Sequence, residues 1–277
     1  MHCIFCKSES LTSKSVEHIF PESLGNTEHI LENGIVCDKC NQYFASKIEK
    51  LVLETPYFVN LRHRNDIASK KNRIPIGKAF MGGEVSIEKS SAGRSVIIED
   101  PRIVRGILDG SIKSMIIPAS GAPESDKREM SRFLGKIAFE ILASRVSKDQ
   151  SMLAALVREP NLDPIRTYIR FGGKPSHWSY SQRRIHPEGA YFINKAISDE
   201  VYQTLHEAQI IAVNDELVAV IGIMGIEYAI NLQNPNIDSY KEWLISRKGV
   251  SPLEDGRVLL HDGYPDWQAG DGMTFVR

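Results

Sequence analysis

The sequence predicts an α+β protein in which a small N-terminal module precedes a larger domain of mixed helices and strands. Two Cys-x-x-Cys pairs lie near the N-terminus, an apolar face recurs at helical spacing after Pro123, and β-type runs fill residues 209–232. Helical and strand periods in separate blocks of one chain are typical of the α+β class. We expect three parts: residues 1–54, a basic linker at 55–75, and an α+β domain at 76–277.

All four cysteines of the chain fall in two chelating pairs, Cys3/Cys6 and Cys37/Cys40. Tetrahedral zinc takes four soft ligands, and a two-residue gap lets both thiolates of a pair turn onto one ion. The spacing therefore favours one structural zinc ion. Disulfides are the first alternative, but no signal-peptide pattern is visible, so we expect a cytoplasmic chain with reduced thiols. A thioredoxin-like redox pair is the second, but neither pair opens a helix after a convincing strand.

The order of elements in the module follows from its apolar positions. Residues 15–20 predict a short strand that presents His18 and ends at Pro21. A loop rich in Gly, Asn and Glu follows at residues 22–34, and a helix with apolar residues at helical spacing starts at Asn41. So short a segment buries little core, and we expect zinc to supply much of its folding energy.

Two segments of the module carry a resemblance to a known family. A Glu-His-Ile-x-Pro segment beginning at Glu17, then an Asn-x-x-x-Cys-x-x-Cys-Asn segment ending at Asn41, resembles the His-Asn-His (HNH) endonucleases. In that family a ββα-metal fold surrounds one catalytic divalent ion, and many members add a zinc site of two Cys-x-x-Cys pairs. The resemblance covers residues 3 to about 50. Glu17 replaces the usual Asp, and Asn41 replaces the usual last His, a substitution that the family also shows.

The resemblance implies a role for each residue of the motif. His18 is the general base, because an imidazole can take a proton from water near neutral pH. Glu17 and Asn41 offer oxygen ligands to a catalytic Mg²⁺ or Mn²⁺. Asn33 orients the loop and His18 by hydrogen bonds, and the products carry 5′-phosphate and 3′-hydroxyl ends. In the non-catalytic alternative, Glu17 and His18 are structural, Asn33 lies in a turn, and Asn41 is a helix N-cap.

Two further segments are candidates for contact with nucleic acid. The first, in the expected linker, is basic and includes Arg62, Arg64, Lys70 and Lys71. It predicts either phosphate contacts or a solvated charged stretch. The second, between residues 170 and 186, mixes basic and aromatic groups and includes Trp178, Arg183 and Arg184. This mixture predicts phosphate contacts together with base stacking. There are two alternatives: a site for a nucleotide or a partner, and a loop whose aromatic residues pack against the core.

The remaining pattern predicts the large domain, which begins with short β-like runs at residues 96–98 and 115–117. Asp126 opens an expected capping box before an amphipathic helix that ends near Val146, and a second helix covers Gln150–Arg158. Strands at 210–213 and 217–221, joined by a short turn, and a third at 226–232 form a sheet that we expect to cover the long helix.

These features predict a metal-dependent endonuclease that acts on DNA, with RNA as an open alternative. The formal net charge of −1 argues against a histone-like or ribosomal protein, and no apolar run is long enough to cross a bilayer. By analogy only, we expect a role in restriction or anti-phage defence, with an activating ligand, a partner protein or a second copy of the chain as partners. The alternative is a non-catalytic zinc module that binds nucleic acid or protein.

Overall fold

The computed structural model describes residues 1–69, 72–90, 93–117, 123, 128–196 and 198–260. Lys70, Lys71 and the capping box predicted at Asp126 lie outside the described residues. Within this part of the chain, no helix has both the length and the apolar character needed to span a bilayer.

The N-terminal module has the predicted order of two strands and a helix. Strands β1 (Glu17–His18) and β2 (Ile30–Leu31) pair antiparallel and are followed by helix α1 (Asp38–Phe44). A π-helical turn, Ala45–Glu49, then leads without a break into helix α2 (Lys50–Leu53). π-helical turns inside α-helices occur frequently at functional sites.

A helix occupies residues 56–64 of the stretch 55–75 expected to connect the two domains. Helix α3 spans Pro56–Arg64, with Pro56 in its first turn, where the missing backbone N–H costs nothing. Phe58 and Leu61 of this helix are fully buried. The division of the chain into three parts stays a prediction.

A small β-meander follows. It consists of β3 (Gly77–Phe80), β4 (Glu84–Ser90) and β5 (Gly93–Ile97), with helix α4 (Pro101–Leu108) after it. The run predicted at 96–98 lies partly in β5. The run predicted at 115–117 contributes only a single bridge, from Ile116 to Phe80.

Three helices form the centre of the molecule: α5 (Arg128–Val146), α6 (Gln150–Arg158) and α7 (Asp163–Phe171). The predicted ends of the first two helices at Val146 and Arg158 are confirmed. The Asp149 side chain caps α6 by accepting hydrogen bonds from two backbone amides of its first turn.

The C-terminal strands form two antiparallel sheets. The strands are β6 (Tyr180–Arg184), β7 (Tyr191–Asn194), β8 (Ser198–Gln203), β9 (His206–Val213), β10 (Glu216–Ile223), β11 (Ile226–Asn231) and β12 (Val258–Leu260), with helix α8 (Asp238–Ser246) before the last. The larger sheet has the order β6-β11-β10-β9 and packs on α5, as predicted. The predicted connection of three residues, 214–216, is a two-residue turn, since Glu216 already belongs to β10. Asn214 and Asp215 both have positive φ, as such a turn requires.

The N-terminal module and the long helix share one hydrophobic core. The ring of Phe5 lies 4.5 Å from that of Phe44 in α1 and 5.4 Å from that of Phe139 in α5, between centroids. Arg166 of α7 donates from Nε to the carbonyl of Ile4 at 2.6 Å. Helix α5 therefore lies directly beneath the strand that carries His18.

Candidate active site

The four cysteine sulfurs come together at one point, as their spacing predicts. All four Sγ atoms lie within 4.8 Å of one another, and those of Cys6 and Cys37 are 3.6 Å apart. All four are free thiols, so this arrangement does not contain the alternative disulfides. Four thiols converging from two knuckles can hold one tetrahedral metal ion.

The surroundings of Cys3 favour the thiolate form that binds metal. A hydrogen bond from the Cys40 thiol, with help from backbone amides, lowers the pKa of Cys3 to about 5 although burial opposes the shift. One of these donors is the backbone N–H of Cys37, 3.4 Å from Cys3 Sγ. The two knuckles are therefore already directed toward each other's sulfur atoms.

Helix α1 is tied to the start of β1 through Asn41. Its side-chain nitrogen donates to the carbonyl of Val16 at 2.9 Å, so the amide oxygen is the atom that remains for a ligand. Asn41 is not the N-cap: α1 begins at Asp38 and Cys37 occupies the cap position. The amide oxygen thus lies next to the strand that presents His18.

His18 is the accessible member of the Glu-His pair. Its side chain is 20% exposed, and its Nε2 lies 3.9 Å from a carboxylate oxygen of Glu22. Its Nδ1 is buried and has no hydrogen-bond partner among the described residues. Buried polar atoms without a partner are uncommon, and a functional contact is one explanation for such an atom.

Glu17 points away from this accessible side, because successive residues of a strand alternate between its faces. Its carboxylate is buried and lies 2.6 Å from the ammonium of Lys136 in α5. Lys136 also contacts Glu49 at 2.7 Å and Glu140 at 3.1 Å. The structure therefore leaves His18 on the accessible side of β1 and pairs Glu17 with a lysine on the other side.

Lys136 remains charged in this environment. Burial by itself lowers the pKa of its ammonium, but attraction from Glu140, Glu17 and Glu49 outweighs burial and raises that pKa well above its ordinary value. Burial raises the pKa of the Glu17 carboxyl, and Lys136 opposes that shift. The cluster is therefore an ion-pair network centred on one permanent cation.

A comparison with known protein families matches this module. Residues 3–54 fit the model of a family described as HNH endonuclease. The N-terminal module is an HNH module. No curated protein and no solved structure is significantly similar to the chain. The rest of the chain, from which Lys136 comes, lies outside the match.

The hydrogen bonds expected of Asn33 are made in the HNH module by Asn26. Asn33 is exposed, whereas Asn26 is buried in the loop between β1 and β2. Its amide nitrogen donates to the carbonyls of Phe20 and His29 at 2.6 and 3.1 Å, and its oxygen accepts from the amides of Glu28 and His29. The loop that follows His18 is thus held by a residue that the motif did not indicate.

We expect Asn26→Asp to destabilise the protein by about 1–3 kcal/mol, the cost of leaving a buried polar group unpaired. A carboxylate in this place cannot donate to the two carbonyls that Asn26 Nδ2 contacts. Asn33→Asp makes the same chemical change at an exposed position and should have little effect. Urea unfolding of both variants measures the difference; a larger loss for Asn33→Asp would restore the loop-orienting role to Asn33.

The predicted stacking residue Trp178 is a core residue. It is fully buried, and its ring nitrogen donates to the carbonyl of Asn231 at 2.7 Å. The prediction of base stacking at Trp178 is wrong, because no face of its ring is open to a base. Residues 170–186 are also not one loop, since they include the end of α7 and all of β6.

The guanidinium groups of Arg183 and Arg184 are both engaged within the fold, and phosphate contact by either residue stays a prediction. Arg183 makes a two-pronged ion pair with the buried Glu227, with distances of 2.6 and 3.0 Å. Arg184 donates to the carbonyls of His186 and Met224 at 3.3 and 3.4 Å. Both guanidinium groups hold β6 against its neighbours.

The basic residues of α3 are partly committed to the fold. Arg64 pairs with Glu188 at 2.8 Å, and its side chain is 19% exposed. Arg62 is half-buried, and burial lowers the pKa of its guanidinium. Phosphate contact by Arg62, Lys70 and Lys71 stays a prediction.

The Lys136 cluster was not predicted from the sequence. Its only signal is a Lys–Glu pair at i, i+4, Lys136 and Glu140, within an otherwise apolar part of α5. Such a pair normally lies on the solvated face of a helix. Here α5 is covered on several sides, so the pair faces the HNH module.

Proposed function

We propose that the chain is a metal-dependent endonuclease that hydrolyses phosphodiester bonds in DNA, with the HNH module as its catalytic part. The observation that supports this most directly is the placement of His18 and Asn41. They lie on adjacent elements of a ββα unit, joined by the hydrogen bond from Asn41 to Val16. This places an imidazole and an amide oxygen beside the same short strand.

His18 is the general base in this proposal. It accepts a proton from a water molecule as the water attacks the phosphorus atom. The carboxylate of Glu22 lies 3.9 Å from Nε2. The loop from Phe20 to His29, held by Asn26, keeps these two side chains at the same end of β1.

The two metal sites have different donors. The four cysteines fit a structural zinc ion, since zinc prefers thiolates in a closed tetrahedral set. The amide oxygen of Asn41 fits a hard cation such as Mg²⁺ or Mn²⁺, whereas Glu17 does not in its observed position, because Lys136 holds its carboxylate. A bound hard cation would supply stabilisation of the charge on the phosphate and on the departing 3′ oxygen.

The second candidate function is a non-catalytic zinc module that binds nucleic acid or protein. The engagement of Glu17 by Lys136 favours it, because one oxygen of the carboxylate that the nuclease motif would offer to a metal ion is already held in an ion pair. A role in restriction or anti-phage defence, and an activating ligand or partner, belong to the proposal of a nuclease and rest on analogy.

Incubation of the purified chain with supercoiled plasmid and Mg²⁺ or Mn²⁺ tests the proposed function. We expect nicked and linear products that DNA ligase can reseal, since the expected ends are 5′-phosphate and 3′-hydroxyl. EDTA should stop cleavage quickly and added Mg²⁺ should restore it, because a hard catalytic cation exchanges more readily than zinc held by four thiolates. A retarded but uncut plasmid would favour the non-catalytic alternative, and cleavage that continues in EDTA would contradict the metal dependence.

A further inference from the structure

The ammonium of Lys136 is the most constrained charge near the proposed site. Its side chain is fully buried, and Nζ contacts carboxylate oxygens of Glu17, Glu49 and Glu140. It also donates to the backbone carbonyl of His18 at 3.0 Å. An ammonium has three protons for these four contacts, and Glu140 is the neighbour whose carboxylate oxygens have no hydrogen-bond partner among the described residues.

The contacts of Lys136 join three elements. Two of them, with Glu17 and the His18 carbonyl, are on β1, and one, with Glu49, is on the π-helical turn after α1. The fourth partner, Glu140, lies one turn further along α5 itself. Lys136 therefore connects α5, which lies outside the HNH match, to two elements of the HNH module: strand β1 and the π-helical turn.

Strand β1 needs an anchor of this kind because it is very short. It contains two residues, paired only with Ile30 and Leu31 of β2. So short a ladder has few backbone hydrogen bonds to define the orientation of a side chain. Lys136 adds two charge-assisted hydrogen bonds to this strand, one on each of its residues, and these are stronger than bonds between neutral groups.

The same contacts explain why Glu17 does not fit as a ligand of the catalytic ion. One of its oxygens, Oε1, is 2.6 Å from Lys136 Nζ, and the other, Oε2, is buried without a hydrogen-bond partner among the described residues. A divalent cation on Oε2 would still lie a few ångströms from that ammonium, because the two oxygens belong to one carboxylate. Two cations so close in a buried place repel strongly.

From this arrangement we infer that Lys136 is a positioning residue of the nuclease site. It holds Glu17 and the His18 carbonyl so that β1 presents the imidazole. Glu17 serves as its ion-pair partner and not as a ligand of the catalytic ion. The effect on cleavage rests on the proposed function, whereas the anchoring of β1 does not.

Four variants separate this role from its alternatives. Lys136→Met and Glu17→Gln break the anchor from either end. Glu140→Gln changes a carboxylate that contacts the same ammonium but leaves both contacts to β1 in place. Asn41→Ala removes the proposed oxygen ligand.

Two readouts are needed, one of which does not depend on cleavage. Hydrogen exchange of the Ile19 amide, which donates to the His29 carbonyl at 2.9 Å, reports the order of the strand end. We expect this amide to exchange about tenfold faster or more in Lys136→Met and Glu17→Gln, and at the wild-type rate in Glu140→Gln, because only the first two lose bonds to β1. Where Lys136→Met does not fold, Lys136→Met/Glu140→Gln keeps the formal charge of the cluster and takes its place.

The second readout is the rate of plasmid cleavage as a function of Mn²⁺ concentration. We expect Lys136→Met and Glu17→Gln to lower kcat by about 100-fold, the effect of a small misplacement of a reacting group, with an unchanged Mn²⁺ midpoint. Asn41→Ala should raise that midpoint. Mn²⁺ binding can also be measured directly without DNA in a His18→Ala background. There we expect Glu17→Gln to leave the Mn²⁺ affinity unchanged and Asn41→Ala to weaken it.

Each result decides a separate question. A raised Mn²⁺ midpoint or weaker Mn²⁺ binding in Glu17→Gln would make Glu17 a metal ligand and overturn the inference. Wild-type exchange of Ile19 in Lys136→Met would overturn it as well. If the wild-type chain cleaves nothing while Lys136→Met still accelerates exchange at Ile19, the proposed function fails but the anchoring of β1 stands.

Discussion

Replacement of His18 by alanine is expected to lower the rate of DNA cleavage by about 100- to 10,000-fold, the usual contribution of a general base. The imidazole is the one proton acceptor of the Glu-His pair on the accessible side of β1, since Glu17 is bound to Lys136. Quantitative plasmid or oligonucleotide cleavage at saturating Mg²⁺ measures the loss.

The same variant should retain the other properties of the protein. His18 contributes no ligand to the cysteine cluster, so zinc content should stay at the wild-type value, and DNA affinity should change little. His2→Ala is a matched control, because His2 is an exposed histidine of the same module. Near-normal turnover in His18→Ala would remove this residue from the mechanism, whatever the behaviour of the control.

Replacement of Cys40 by serine is expected to unfold or aggregate the N-terminal module and to remove its zinc. The free energy of zinc binding to a four-ligand site is about 10–16 kcal/mol in zinc-finger peptides, and it appears as folding free energy when the site exists only in the folded state. Cys40 is buried on α1, and the core of the module continues into α5 through Phe5 and Phe139. We therefore expect the loss to lower the thermal stability of the whole chain.

Elemental analysis and thermal melting test this expectation together. The wild-type protein, purified without added metal, should contain about one zinc ion per chain, as a single four-thiolate site requires. Lys39→Ala changes the exposed neighbour of Cys40 on the same helix and should keep both zinc and melting temperature. A Cys40→Ser protein with wild-type zinc and stability would contradict a structural site, and wild-type protein without zinc and without reactive thiols would indicate disulfides instead.

Several features of this protein could be predicted from the sequence because their causes are local. The convergence of the four cysteines follows from the two-residue gaps in each pair. The ends of α5 and α6 follow from periodicity and capping, and the β9–β10 hairpin follows from the Asn214-Asp215 turn. The order of β1, β2 and α1 follows from the HNH resemblance, which the family comparison confirms for residues 3–54.

Other features were decided only by tertiary packing. Trp178, Arg183 and Lys136 are all found with polar partners far away in the sequence: the Asn231 carbonyl, Glu227, and the Glu17 carboxylate with the His18 carbonyl. Composition shows that such a side chain is aromatic or charged, but not whether another element covers it.

The physical reason is that burial is a property of pairs of elements. A Lys–Glu pair on a helix is solvated when its face is open and becomes an ion-pair network when a second element closes over it. Helix α5 packs beneath β1, so the side chain of Lys136 reaches into the HNH module. In the sequence, Lys136 lies well outside the HNH motif. By itself, the sequence determined that four cysteines converge in an N-terminal module that matches the HNH endonuclease family. The packing of α5 decided that Glu17 is paired with a lysine while His18 remains accessible.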